Sequence, residues 1–216
     1  MSGDNSTSEN VGPSALANLQ SGLTSVTDFG DQAIIFPLAA GIALILALSG
    51  WRRGALAWTA AIGGTLTLVL ILKLRFFACG HLSPGANFSN PSGHTAAAAA
   101  VYGALAAMIM RSIWDDPRWA LSGAVTMGVS LAVCIGLSRL MLDLHSMGEV
   151  VVGGAIGIGG AVSFVVFAGP SSHAVRIEWL VLASLFIMAV LYGVRMSAEV
   201  TIRSLATSLW PFSQCI

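Results

Sequence analysis

Six stretches of almost unbroken apolar residues, at 33–50, 55–72, 95–110, 120–137, 150–168 and 179–194, recur along the chain with short polar breaks between them. A hydrocarbon core about 30 Å thick takes about 20 helical residues to cross. Backbone groups in lipid must be satisfied internally, which leaves helices or closed barrels, and runs without period-two alternation select helices. The pattern predicts an all-α polytopic membrane protein with a bundle of six transmembrane helices over 33–196. Residues 1–32 read as a polar N-terminal tail or interfacial helix. Residues 197–216 read as a C-terminal interfacial tail, entered by a stripe of Arg195, Glu199 and Arg203 at i+4 pairing distance.

Composition sharpens the membrane assignment. Of 216 residues 56% are hydrophobic and 9% charged, where a soluble domain carries about a quarter charged. Formal net charge is zero, so nothing points to nucleic acid as a partner. The first 32 residues contain no Lys or Arg and lack the basic start of a signal peptide. Cys79, Cys134 and Cys215 show no paired spacing, which suggests neither a disulfide framework nor structural zinc. A bridge between Cys79 and Cys215 on one face remains open. Small residues in the fifth span, Gly153, Gly157 and Ala161, allow close helix packing, either within the monomer or in a homodimer.

The breaks carry the chemistry. Loops 73–94 and 138–149 are separated by two crossings, so they emerge on one membrane face and their polar residues can meet. The opposite face receives Arg52, Arg53, Arg111, Arg118 and Arg176, half of the ten basic residues. Lys73 and Arg139 discounted as functional, the positive-inside tendency places the 73–94 and 138–149 loops outside.

Asn90-Pro91-Ser92-Gly93-His94 precedes the third span. A Pro-Ser-Gly turn opening a helix offers backbone N–H groups, a hydroxyl and the positive helix end to a phosphate oxygen; an ordinary cap by Ser92 is the alternative. Ser138-Arg139 is followed by Asp143, His145 and Glu149. Ionisable groups at membrane depth default to a functional hypothesis, and Arg is shaped for forked bonding to phosphate. His145 can act as nucleophile or base, and Glu149 at i+4 can orient its ring. Asp143 is expected to form a structural ion pair with Arg139. Lys73 stands at the exit of the second span, either as a snorkelling anchor or as a phosphate ligand, with Arg75 nearby.

Taken in order, Lys73, the Pro91-Ser92-Gly93-His94 segment and Ser138-Arg139 with His145 resemble the three motifs of the type 2 phosphatidic acid phosphatase (PAP2) family. The resemblance covers roughly residues 55–168. Glu149 stands where the family has Asp, and Gly80-His81 stand where the family has Arg-Pro in its first motif; Arg75 or His81 is an alternative source of that charge.

The resemblance implies a membrane lipid phosphatase acting on a phosphate monoester or diphosphate through a phosphohistidine, with no cofactor and no metal. In it His145 attacks phosphorus, Glu149 holds its ring, and His94 protonates the departing oxygen. Lys73, Ser92, Gly93 and Arg139 hold the phosphate, with Arg75 and Ser138 as auxiliaries. Its partners are a lipid phosphate substrate and membrane lipids, and a bacterial inner membrane with the site on the periplasmic side is the expected setting. A lipid phosphotransferase and a silent lipid-binding or transport protein of the same fold are the alternatives.

Overall fold

The computed structural model describes residues 13–79, 90–114, 116–170, 176–196 and 198–209. Gly80, His81, His173, Cys215 and the side chain of Cys79, and with them the suggested bridge, lie outside the described residues. Among the described residues there are helices and no strands: α1 (Pro13–Asp28), α2 (Gln32–Leu48), α3 (Arg52–Cys79), α4 (Gly93–Ile113), α5 (Pro117–Met141), α6 (Met147–Ala168), α7 (Ile177–Leu191) and α8 (Ala198–Leu209).

Local chemistry sets the helix ends. Asp31 caps α2 by accepting from the Ala33 amide at 2.8 Å, and Asp116 caps α5 by accepting from the Arg118 amide at 2.9 Å, followed by Pro117 in the first turn. Both supply a partner that the first helical turn lacks. The chain turns away two residues past the end of α7 at Gly193, whose φ of +80° favours glycine.

α2 to α7 follow the six predicted apolar stretches. Among the described residues, five segments are long and apolar enough to cross a membrane, the first of them running through α1 and α2. The sixth stretch forms only the 15 residues of α7, a rise of about 22 Å at 1.5 Å per residue. α3 and α5 run further than expected. Lys73 therefore lies inside α3 instead of at its exit, and Ser138 and Arg139 form the end of α5 instead of a loop.

α4 is the buried axis, its Ala96–Ala100 run enclosed on all sides by α3, α5 and α6. Alanine suits this place, being a strong helix former small enough to let neighbouring backbones close in. Gly153, Gly157 and Ala161 of α6 meet Ser92, Ala96 and Gly103, so the small-residue stripe is used within the chain. Trp58 of α3 donates from its indole to the Ala39 carbonyl at 2.9 Å and sits edge-on to Phe164. Outward faces are apolar too, among them Val133, Leu137, Phe167 and Phe186. A bundle apolar inside and out is that of a multi-pass membrane protein.

Candidate active site

One end of the bundle gathers the starts of α2, α4 and α6 and the ends of α3, α5 and α7. A basin of about 480 Å³ opens there, lined by Lys73, Gly93, His94 and Arg139 together with Asp28 and Asp31. Lys73 and Arg139 are buried although each carries a charge. The Nε of Arg139 is buried without a hydrogen-bond partner among the described residues. A buried guanidinium nitrogen left unpaired is costly unless a ligand completes it.

His145, six residues after Arg139, does not itself line this basin although its neighbour Leu144 does, and its side chain is 2% exposed. Its Nδ1 meets Glu149 Oε2 at 2.7 Å. A carboxylate can only accept, so the partner assigns the proton to Nδ1 and leaves the Nε2 lone pair available. The same Oε2 accepts from the Ser146 amide at 3.1 Å as part of a capping box. Oε1 accepts from the Asn90 amide at 3.1 Å, and the Glu149 carbonyl accepts from the Ser92 amide at 2.9 Å. Glu149 thus orients His145 and also pins the Asn90–Ser92 turn to the first turn of α6. Gly153 permits this approach: a Cβ there would lie 2.5 Å from the Ser92 carbonyl oxygen.

Burial pushes the His145 ring below the ordinary imidazole range; the hydrogen bond to Glu149 pulls the other way, and the charges of Arg139 and Lys73 side with burial.

Ser92 occupies the N-cap position of α4 but makes no side-chain capping bond; its hydroxyl pairs with that of Thr95 at 2.9 Å. The first amides of α4 therefore lack a side-chain cap, which leaves Gly93 able to offer its N–H to an anion in the basin.

Three residues stand apart from their sequence-based expectations. Ser138 does not line the basin; its hydroxyl donates to the Ile135 carbonyl at 2.7 Å and meets Thr27 at 3.0 Å, joining α1 to α5. Arg75 does not line it either, because two residues along a helix turn the side chain by about 200°. Asp143 forms no ion pair with Arg139: it is exposed, past the end of α5, at a φ of +54°.

The i+4 stripe of Arg195, Glu199 and Arg203 is not formed as an internal ladder. Arg195 precedes α8 and donates to both carboxylate oxygens of Asp28, at 2.7 and 3.1 Å. Glu199 Oε2 lies 3.4 Å from Lys73 Nζ, and Arg203 stacks over Phe77 at 5.0 Å. Asp31 is one of the basin residues that sequence reasoning missed, with Asp28. Its Oδ2 lies 3.4 Å from His94 Nε2. Its one signal in the sequence was its place immediately before an apolar run, which reads as a helix cap and no more.

Among curated proteins, an uncharacterized 22.5 kDa protein in the cps region of Klebsiella pneumoniae is 28% identical over 204 residues, an alignment covering 88% of this chain and 92% of that protein. No solved structure matches. Comparison with protein-family models matches residues 55–170 to the PAP2 superfamily. That segment runs from α3 through α6, takes in Lys73, His94, Arg139 and His145, and spans more than half of the chain: the protein belongs to the PAP2 superfamily, a membership that supports phosphatase-type activity on phosphate esters.

Proposed function

We propose that this protein is a membrane lipid phosphatase that hydrolyses a phosphate monoester or diphosphate through a phosphohistidine on His145. The observation that supports the lipid part is an apolar groove of about 540 Å³ that adjoins the phosphate basin. Gln32, Lys73, Gly93 and Met196 border both spaces. From them the groove runs between α2, α3 and α8 along Phe36, Leu66, Leu70 and Leu205. A charged head in the basin with a hydrocarbon chain in the groove satisfies both linings at once.

In the reaction, the Nε2 lone pair of His145 forms a bond to phosphorus as the bond to the leaving oxygen breaks, and His94 gives that oxygen a proton. Water then attacks the phosphohistidine, its proton passes to His94, the P–N bond breaks and inorganic phosphate leaves. Two moderate displacements replace one difficult one. Lys73, Arg139 and the Gly93 amide meet the anionic oxygens, whose charge they stabilise without reorganising. Glu149 keeps the His145 ring in the tautomer that attacks and balances the charge it gains.

Phosphate release by the purified protein in detergent with excess chelator tests this reading. A panel of phosphatidate, phosphatidylglycerophosphate, polyprenyl diphosphate and a lipid A phosphate is compared between wild type, His145→Ala and His94→Ala. Chelator-resistant release lost in both variants is the expected result. Phosphate appearing on a second lipid instead of in solution would identify a transferase, and no turnover of any lipid would leave a binding protein.

A further inference from the structure

Outside the family-matched segment, the turn between α1 and α2 reaches across the bundle end to His94. Asp31 is buried there, and its carboxylate is held in place by backbone: Oδ1 accepts from the Ala33 amide at 2.8 Å and from the Met196 amide at 3.0 Å. Rotating the carboxylate away would cost both bonds. The other oxygen, Oδ2, faces His94 Nε2 at 3.4 Å. This is ion-pair range and longer than a formed N–H···O bond, as catalytic contacts often are before substrate binds.

The turn itself is fitted to His94. A Cβ on Gly30 would lie 2.9 Å from the His94 carbonyl oxygen and 3.1 Å from its Cβ, so a larger residue would lift the turn. Tyr102 of α4 donates to the Phe29 carbonyl at 3.0 Å. Thr27 bonds Ser138 of α5, and Arg195 grips Asp28. Tyr102 holds the turn to the helix that carries His94, and the other two contacts anchor the end of α1 from which the turn leaves. A helix cap alone requires none of this.

We propose that Asp31 is the positioning residue of His94, a carboxylate supplied from outside the PAP2-matched segment that fixes the ring through Nε2 and leaves Nδ1 to exchange the proton with the leaving oxygen. The inference rests on the phosphatase reading for its catalytic consequence. The arrangement mirrors His145 and Glu149 with the ring nitrogens exchanged. Lys73 from α3 and Arg139 from α5 repel an imidazolium at His94; Asp31 offsets them from the α1–α2 turn. Asp28, Arg195 and Glu199 line the same basin.

Asp31→Asn tests it, because asparagine caps a helix about as well as aspartate but carries no charge. The readout is kcat/KM, which reports the first displacement, for an alkyl lipid phosphate and for p-nitrophenyl phosphate, whose acidic leaving group needs no proton. The expected result is a loss on the alkyl ester at least about tenfold larger than on the nitrophenyl ester, in the same sense as His94→Ala and within the usual scale of acid catalysis. Equal losses on both esters, or none on either, would overturn it. In the same samples, histidine 15N NMR reads the tautomer of His94: Nε2–H in wild type and a mixture in Asp31→Asn. If wild type hydrolyses neither ester yet shows that tautomer change, the positioning role stands and the phosphatase reading falls. An unchanged tautomer overturns the positioning role whatever the turnover.

Discussion

His145 finds its carboxylate one helical turn later, at 2.7 Å and with both side chains almost wholly buried. His94 finds its carboxylate at the start of another helix, at 3.4 Å and facing an open basin. The first pair is written into a single stretch of chain: Ser146 caps α6, Glu149 sits in its first turn, and His145 lies just before the cap. The second exists only because the α1–α2 turn docks on the end of α4. Local sequence therefore sets the first pair, and the packing of the whole bundle end sets the second.

Breaking the local pair at its histidine has the largest effect. His145→Ala is expected to lower kcat by at least about a thousandfold, as removing a nucleophile does, measured as phosphate release. Glu149→Gln comes next, with about a hundredfold loss, on the scale of replacing the carboxylate that orients a catalytic histidine. It also weakens the bond to the Asn90 amide, so the melting temperature in detergent is expected to fall as well. A variant that loses activity with no change in melting would separate the two roles of Glu149.

Gly30→Ala attacks the second pair without touching its carboxylate. The added Cβ meets backbone atoms of His94 that cannot step aside. The alkyl ester is expected to lose activity more than the nitrophenyl ester does, roughly tenfold against a few-fold.

The pH dependence sharpens the contrast. Burial holds the His145 ring below the usual range, so the neutral nucleophile persists as pH falls through about 6.5, the free imidazole value. The acid limb of kcat/KM assigned to His145 is expected below that pH. Glu149 is the partner that raises the ring, so Glu149→Gln should move this limb further to the acid side.

The smallest effect is expected from Glu199→Gln. Glu199 is half-exposed and pairs with Lys73, and exposed pairs are weak. Removing this competitor for the lysine should strengthen inhibition by orthophosphate by roughly two- to fivefold.

The same contrast explains what could be read from the chain. Ser92, Gly93, His94, Arg139, His145 and Glu149 sit in short segments whose spacing on a helix or at its start already brings side chains together. Six apolar runs marked the bundle because each must satisfy its own backbone in lipid. Arg75 turns away from Lys73 because α3 continues in helical phase to Cys79, past the end of the apolar run at 72. Asp143 departs from its expected pairing for the opposite reason: α5 stops at Met141, so no i+4 relation to Arg139 survives. Asp28, Asp31 and Glu199 belong to segments that read as polar ends of the chain. Their roles come from tertiary contacts with Arg195, His94 and Lys73, to which no local period points.

The stereochemical course at phosphorus separates a phosphohistidine route from direct attack by water, read with a thiophosphate ester made chiral by two oxygen isotopes and hydrolysed in water of the third, so that the inorganic thiophosphate released is itself chiral. Two in-line displacements through His145 give net retention of configuration, which is the expected result. Net inversion would mean that water attacks the substrate in one step, with no phosphohistidine on His145.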